Sequence, residues 1–217
     1  MRSDRMWRGV ALAVLLAPAV PHAQDRPAFP PTRDVAVTYR TTLPQPNTPQ
    51  NLTPQTVLMR YSVAADRFRL DGTGANGGLP GYVLVEHQSR HATIVMAELG
   101  MMIDAPPRAG LEQAFILETG RRFDRRGSDT VAGLGCTVWE IAGEAGNGTA
   151  CVTGDGVLLR ASGQDRKGRT ASIEATRVEY GRQTEALFFP PANVRKLDLA
   201  AGPGAAAVLD RLRQRQP

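Results

Sequence analysis

The sequence is poor in the residues that most often carry metal or redox chemistry. Its 217 residues include three histidines and two cysteines, too few for a small domain that depends on a disulfide framework. Hydrophobic residues make up 42% of the chain and charged residues 22%. This composition excludes an extended disordered chain, a coiled coil and a multi-span membrane protein. What remains is one ordinary domain, long enough to bury a core of its own.

Signatures of common catalytic centres are absent as well. The sequence has no Gly-x-Ser-x-Gly, phosphate-loop, His-Glu-x-x-His or paired Cys-x-x-Cys motif. His87 and His91 are four residues apart, but they flank a predicted turn with no third ligand nearby, so a metal pair is the weaker interpretation. Asp71, Gly72 and Thr73 match half of an aspartic-protease pair that has no second copy, and a hairpin loop is favoured there. We therefore expect no enzymatic activity, no metal and no cofactor.

Residues 1–23 match a secretory signal peptide. Three arginines precede an uncharged, mostly apolar stretch over residues 9–20. As a helix this stretch spans about 18 Å, too short for the roughly 30 Å hydrocarbon core of a bilayer. We expect cleavage after Ala23, with Ala19 as the alternative. The mature protein is then periplasmic and has no transmembrane anchor.

The charge balance excludes nucleic acid as a partner. The formal net charge is +5, and it falls to +3 when the three arginines and one aspartate of the predicted signal peptide are removed. This excess is too small for binding a polyanion. Four arginines cluster on one predicted strand: Arg121, Arg122, Arg125 and Arg126. They are suited to anionic head groups, but a solvated strand face is the favoured interpretation.

Short runs of alternating apolar and polar residues, separated by turn residues, predict a mainly β protein. The spacing fits about nine to eleven strands in a single curved antiparallel sheet, a half-barrel, with one or two short helices. Gly154, Asp155 and Gly156 predict a tight hairpin. Within residues 171–180 the apolar side of the strand switches, which predicts a bulge near residues 175–177.

The chain divides into four predicted segments. Residues 1–23 are the signal peptide, residues 24–32 a proline-rich arm and residues 33–199 the β-rich domain. Residues 200–217 form a short C-terminal helix or a tail. A further short helix is predicted within residues 111–117.

Cys136 and Cys151 are the only cysteines. An even number in an oxidising compartment favours a disulfide, here between neighbouring strands beside Trp139. On the entropic model, such a loop restricts the unfolded chain by about 3 kcal/mol. A reactive thiol and a metal ligand are the alternatives, and neither has a partner motif.

Several methionines have the adaptable apolar side chains that line ligand cavities. The candidate lining residues of an apolar cavity are Met59, Tyr61, Tyr82, Leu84, Ile94, Met96 and Met101. Plain core packing is the alternative interpretation of the same residues.

Five segments follow one another in a recognisable order: residues 33–39, 66–71, 91–105, 131–139 and 150–157. The most specific portion is Gly-Leu-x-Cys followed by Cys-x-x-Gly-Asp-Gly. This order resembles a family of bacterial exported proteins of unknown function, similar in strand pattern to the LolA/LolB-type lipoprotein carriers. The resemblance covers roughly residues 33–199. It implies a curved antiparallel sheet, capped by helices around an apolar cavity that holds acyl chains, and it names no catalytic residue.

Three function classes compete. The first is a non-catalytic periplasmic protein that binds or carries a lipid or a lipoprotein acyl chain in the concave face of the sheet. The second is an envelope protein-interaction module with a filled core, for which the arm and residues 43–54 are contact segments. The third is a periplasmic enzyme. A carrier needs an apolar cavity of the order of several hundred cubic ångströms, whereas a filled core leaves almost none.

Overall fold

The computed structural model describes residues 26–42, 55–73, 81–104, 117, 120–143, 146–165, 168 and 170–197. The predicted signal peptide, the loop over residues 43–54, the segment 200–217 and the predicted helix within 111–117, apart from Leu117, lie outside these residues. The described part contains twelve strands and two short 3-10 helices, Ala97–Leu99 and Glu185–Phe188. The strands are β1 (Val35–Thr42), β2 (Gln55–Ser62), β3 (Arg67–Thr73), β4 (Tyr82–Glu86), β5 (Ala92–Met96), β6 (Met101–Asp104), β7 (Arg122–Val131), β8 (Leu134–Gly143), β9 (Gly146–Val152), β10 (Leu158–Asp165), β11 (Thr170–Tyr180) and β12 (Arg195–Leu197).

All twelve strands form one open, curved sheet in the order β12-β6-β5-β4-β3-β2-β1-β11-β10-β9-β8-β7. Every neighbouring pair is antiparallel except β12 and β6, which are parallel. The prediction of a mainly β protein with a single curved sheet is confirmed. The sheet has one strand more than the predicted range because the three-residue β12 adds to its edge. Within the described ranges, no helix has the length and apolar character that a membrane crossing requires.

The two sides of the sheet differ in polarity. Directly opposed residues on neighbouring strands share a face. One such row crosses eight strands and is apolar throughout: Val178, Val37, Met59, Leu70, Val83, Ile94, Ile103 and Leu197. On the opposite side a row crosses the other half of the sheet and is polar: Asp124, Glu140, Thr149, Ser162, Ser172 and Thr42. We call these sides the apolar face and the polar face.

The main core is continuous across both halves of the sheet. One cluster of buried side chains extends across the sheet from Ala92 in β5 to Val131 in β7 and includes Trp139 and Ile141 in β8. Tyr39 in β1 is fully buried within it, and its hydroxyl donates a hydrogen bond of 2.5 Å to the backbone oxygen of Leu158. Burial raises the pKa of Tyr39, so this phenol stays a neutral donor. The bond fixes β1 to β10 across the intervening strand.

Two local predictions are confirmed. The pairing of β1 with β11 shifts between Thr38 and Tyr39, which leaves Thr176 as an extra residue in β11. This is the predicted bulge, and it explains the change of apolar side. The hairpin between β9 and β10 turns at Gly154–Gly156, where the Gly156 backbone N–H donates to the Thr153 oxygen.

The segment before β1 packs against two distant parts of the sheet. The Phe29 ring stacks on Phe68 of β3, with centroids 5.6 Å apart. Three residues further on, the Thr32 backbone N–H donates to the Asp155 oxygen at 2.9 Å. Gly156 has a φ of +91°, and a Cβ there would lie 2.5 Å from the Pro30 oxygen. Only glycine therefore lets this segment bridge β3 and the β9–β10 hairpin.

Candidate functional site

The structure places the seven predicted cavity residues on both faces of the sheet. Met59, Tyr61, Ile94, Met96 and Met101 lie on the apolar face, and Tyr82 and Leu84 lie on the polar face. Met59 is 2% exposed, and Tyr61 and Met96 are each 3% exposed. Protein atoms already cover these three side chains.

Tyr82 and Leu84 belong to a separate cluster on the polar face, together with Val95. The segment that includes the second 3-10 helix and β12 covers it, and Val194 packs against the cluster. The Arg69 guanidinium lies 3.6 Å from the Tyr82 ring centroid and donates to the Leu187 oxygen at 3.0 Å. This stretch of chain is therefore fastened to the polar face.

The sequence interpretation of Asp71 as the start of a loop is wrong. β3 continues to Thr73, and Asp71 lies on its polar face. Its carboxylate accepts hydrogen bonds of 2.7 Å from both Arg60 and Arg69. Arg60 and Arg69 oppose each other on neighbouring strands, so the carboxylate between them offsets a like-charge contact.

Cys136 and Cys151 lie at bonding distance, with sulfurs 2.07 Å apart and Cα atoms 5.4 Å apart. They join β8 to β9, and Trp139 opposes Ala150 beside Cys151. Both cysteines are buried, at 5% and 2% exposure. This geometry supports the predicted disulfide.

A ladder of ion pairs crosses the polar face above the disulfide. Asp129 in β7 pairs with Arg160 in β10, and these residues oppose Cys136 and Cys151, respectively. Glu174 in β11 lies 3.8 Å from the Arg160 guanidinium. The Thr130 backbone N–H and then Arg160 hold the pKa of Asp129 below its ordinary value. The ladder ties β7 to the middle of the sheet.

A groove of about 750 Å³ lies on the polar face next to this ladder. Its lining is mostly hydroxyl, amide and glycine: Thr42, Arg126, Val138, Glu140, Asn147, Gly148, Thr149, Ser162, Gly163, Gln164, Thr170, Ala171 and Ser172. The two charged side chains neutralise each other, because Arg126 Nε donates to Glu140 at 2.6 Å.

The groove reaches the edge strand β7 at Arg126. This ten-residue strand pairs with β8 and ends the sheet. Half of the backbone groups of an edge strand point away from its neighbour, and no strand of the described part is hydrogen-bonded to that edge of β7. A bulge lies between Arg125 and Gly127, where Gly127 has a φ of +146°. Such bulges twist an edge and limit the length over which it pairs with another strand.

The two histidines flank the turn between β4 and β5, as predicted, but they contact different carboxylates. His87 Nδ1 lies 3.3 Å from Asp66, and His91 Nε2 lies 3.2 Å from Asp104. Lys196 donates to Asp104 as well and is the main cause of the lowered pKa of that carboxyl. Across the residues that the structure describes, no three His, Cys, Asp or Glu side chains gather in the way a metal ion requires.

Sequence patterns did not reveal the Asp129–Arg160 pair or the Asp71 cluster. Both depend on which residues face each other across strands, and register is not visible in a single sequence. One local signal exists for Asp71, since Arg67, Arg69 and Asp71 alternate and therefore share a face.

No family model and no curated protein matches this sequence. In structure, the chain is similar to an uncharacterised conserved protein from Thermus thermophilus, with 12% identity and a TM-score of 0.51 over 76% of this chain and 90% of that chain. It is also similar to a chain of the MucA/MucB complex of Pseudomonas aeruginosa, with 13% identity and a TM-score of 0.47. That match covers 75% of this chain and 57% of the other. At 12% identity, the similarity to the Thermus thermophilus protein is a similarity of fold. The predicted resemblance to the LolA/LolB-type carriers stays a prediction.

Proposed function

We propose that this chain is an exported, non-catalytic protein-binding module of the cell envelope that holds a partner polypeptide at the edge strand β7. One observation carries the proposal. Five of the seven side chains expected to line an apolar cavity are at most 8% exposed. In contrast, the ten-residue β7 has an edge that no described strand pairs with, beside a groove on the polar face. Exposed strand edges are a common means of binding extended polypeptides.

The burial of the apolar face argues against an acyl-chain carrier. Met59, Tyr61 and Met96 are at most 3% exposed. A ligand that contacted them would have to displace the side chains that cover them, at about 1.5–3 kcal/mol for each large apolar side chain re-exposed to water. A protein-interaction module needs no such displacement, because its partner binds outside the filled core.

Export is supported by two independent features. Residues 1–23 have the charge and apolar pattern of a signal peptide. The geometry of Cys136 and Cys151 is that of a formed disulfide, which persists in oxidising compartments such as the periplasm. A non-catalytic role agrees with the polar face, where Asp71, Asp129 and Glu140 each pair with arginine.

Site-specific photocrosslinking in the periplasm of the native host tests this function. A photoreactive residue at Ser128, exposed in β7, is expected to give a discrete protein adduct that excess purified wild-type protein competes away. The same residue at Gln88, exposed in the β4–β5 turn, is the matched control and is expected to give none.

Native mass spectrometry of the purified protein provides the second arm. The expected result is a mass without a lipid adduct. Lipid-sized adducts that disappear on Met96→Asp, together with equal crosslinking from Ser128 and Gln88, would replace the proposal with a carrier.

A further inference from the structure

We infer that the segment held at β7 is an acidic, extended peptide, which pairs with β7 along its open edge and places a carboxylate against Arg125. This inference rests on the proposed protein-binding function and names the chemistry of its partner. Three observations support it: the charge of the edge, the state of each arginine on it and the position of the bulge.

The first half of β7 is positively charged. Residues 122–126 contain Arg122, Arg125 and Arg126 against the single carboxylate of Asp124. Arg122 pairs with Asp124 at 3.2 Å, and Arg126 pairs with Glu140. Among the described residues, no carboxylate contacts the exposed Arg125 guanidinium. Arg125 is therefore the arginine of residues 122–126 whose charge no described carboxylate neutralises.

Arg125 is also placed differently from the other two arginines. It opposes Trp139 and so points to the apolar side of the sheet, whereas Arg122 and Arg126 contact carboxylates of the polar face. In a strand added to β7, the residue directly opposite Arg125 has its Cβ about 5 Å away. An aspartate or glutamate there meets the guanidinium in a two-point, charge-assisted hydrogen bond.

The bulge defines how much of β7 takes part. Regular pairing with β8 runs from Arg122 to Arg125 and shifts before Gly127. An added strand follows the regular part most easily, because the bulge bends the edge and breaks the hydrogen-bond ladder. The partner segment is therefore short, about four residues of paired backbone, and its acidic side chain lies opposite Arg125 at the end next to the bulge.

Peptide binding to the purified mature protein tests the inference. The probe is a capped nine-residue peptide of alternating Glu and Thr, compared with its Lys-for-Glu counterpart and with a version N-methylated at alternate backbone nitrogens. The Glu peptide is expected to bind in a salt-dependent manner, and both comparison peptides at least tenfold more weakly. N-methylation removes backbone donors without changing charge, so its effect identifies strand pairing.

A charge swap locates the contact. Arg125→Glu is expected to lower the affinity for the Glu peptide at least tenfold. It is expected to raise the affinity for the Lys peptide, because the introduced glutamate would then lie opposite a lysine. Arg182→Ala, at an exposed arginine after β11, is the control and is expected to leave both affinities unchanged. Trp139 fluorescence and circular dichroism verify that each variant is folded.

Each alternative outcome is distinct. Equal affinity for the Glu and Lys peptides overturns the acidic preference but leaves protein binding at Ser128 standing. Unchanged binding after N-methylation overturns strand pairing. Absence of peptide binding, with Arg125-dependent sedimentation on phosphatidylglycerol vesicles, assigns the arginines to a lipid surface and overturns the inference.

Discussion

Asp155 is the point at which three separate segments of the chain meet. Arg33, before β1, donates to its carboxylate at 2.8 Å, and Tyr180, at the end of β11, donates at 3.3 Å. The Thr153 hydroxyl, in the same hairpin, also donates. Burial raises the pKa of Asp155, but the hydrogen bonds from Thr153, Arg33 and Tyr180 outweigh it and the pKa is lowered. The ionised form therefore stabilises the fold.

The stability of the protein is expected to depend on pH through this carboxylate. The folded pKa of Asp155 is below its unfolded value of about 3.9. Its contribution is fully present above the unfolded pKa and is lost as pH falls through the folded pKa. Urea unfolding between pH 2.5 and 7 is expected to show a shallower acid loss of stability in Asp155→Asn than in wild type. Glu185→Gln, at an exposed carboxylate, is the control, and an unchanged slope in Asp155→Asn would contradict the role.

The disulfide is the other residue-scale determinant of stability. Cys136 and Cys151 are 15 residues apart in sequence, and closing a loop of that size contributes about 3 kcal/mol on the entropic model. Replacing both with serine is expected to lower the free energy of unfolding in urea by about that amount. Reductant is expected to destabilise wild type and to leave the double variant unchanged. Two thiols that label in denatured, non-reduced protein would sink the prediction.

At the scale of elements, alternation predicts strands well and faces less well. Burial alternates strictly along β1 and from Val57 to Tyr61 in β2, and alternation identifies the buried side of both strands. β4 is buried on both faces, so alternation does not say which of its residues point into the main core. The register of β4 with β3 determines which residues face the main core, and it places Tyr82 and Leu84 on the polar face. β12 has three residues and no alternation, and it gives no detectable strand signal.

The bridge formed by residues 26–34 depends on the conformation of the β9–β10 hairpin. Gly156→Ala places a Cβ 2.5 Å from the Pro30 oxygen at a φ of +91°. We expect a loss of at least about 1 kcal/mol of stability, because alanine is strained at positive φ. It should also increase proteolytic cleavage near Arg33, since the bridge must move. Gly154→Ala is the matched control two residues away, where a Cβ meets nothing within 4 Å. Similar stability of the two variants would rule out the bridging role.

At the scale of the whole molecule, the position of the candidate site results from strand order. β7 is seventh in sequence yet ends the sheet, because β1 pairs with β11 and brings the two halves together. That pairing joins residues more than a hundred positions apart, which no local pattern reveals. The sequence therefore indicated a strand with three of the four clustered arginines, Arg122, Arg125 and Arg126, and the disulfide near it. It did not indicate that this strand is an open edge or that a groove on the polar face lies beside it.

The same central pairing predicts how the molecule unfolds. The main core extends across the sheet from β5 to β7. The Tyr39–Leu158 hydrogen bond and residues 26–34 join the same two halves. A single cooperative transition is therefore expected. Trp139 in β8 reports on one half through its fluorescence, and far-UV circular dichroism reports on the whole sheet.

Leu70→Ala tests this cooperativity from the opposite half. Leu70 in β3 is 3% exposed, and its truncation is expected to cost about 2–5 kcal/mol. The Trp139 and circular dichroism midpoints should coincide in wild type and shift together in the variant, although Leu70 and Trp139 are six strands apart in the sheet. Leu99→Ala, 40% exposed, is the control and should shift neither by more than about 0.5 kcal/mol. If Leu70→Ala shifts the circular dichroism midpoint but leaves the Trp139 fluorescence midpoint unchanged, the two halves fold independently. The β1–β11 pairing would then be a junction between two folding units and not the middle of one.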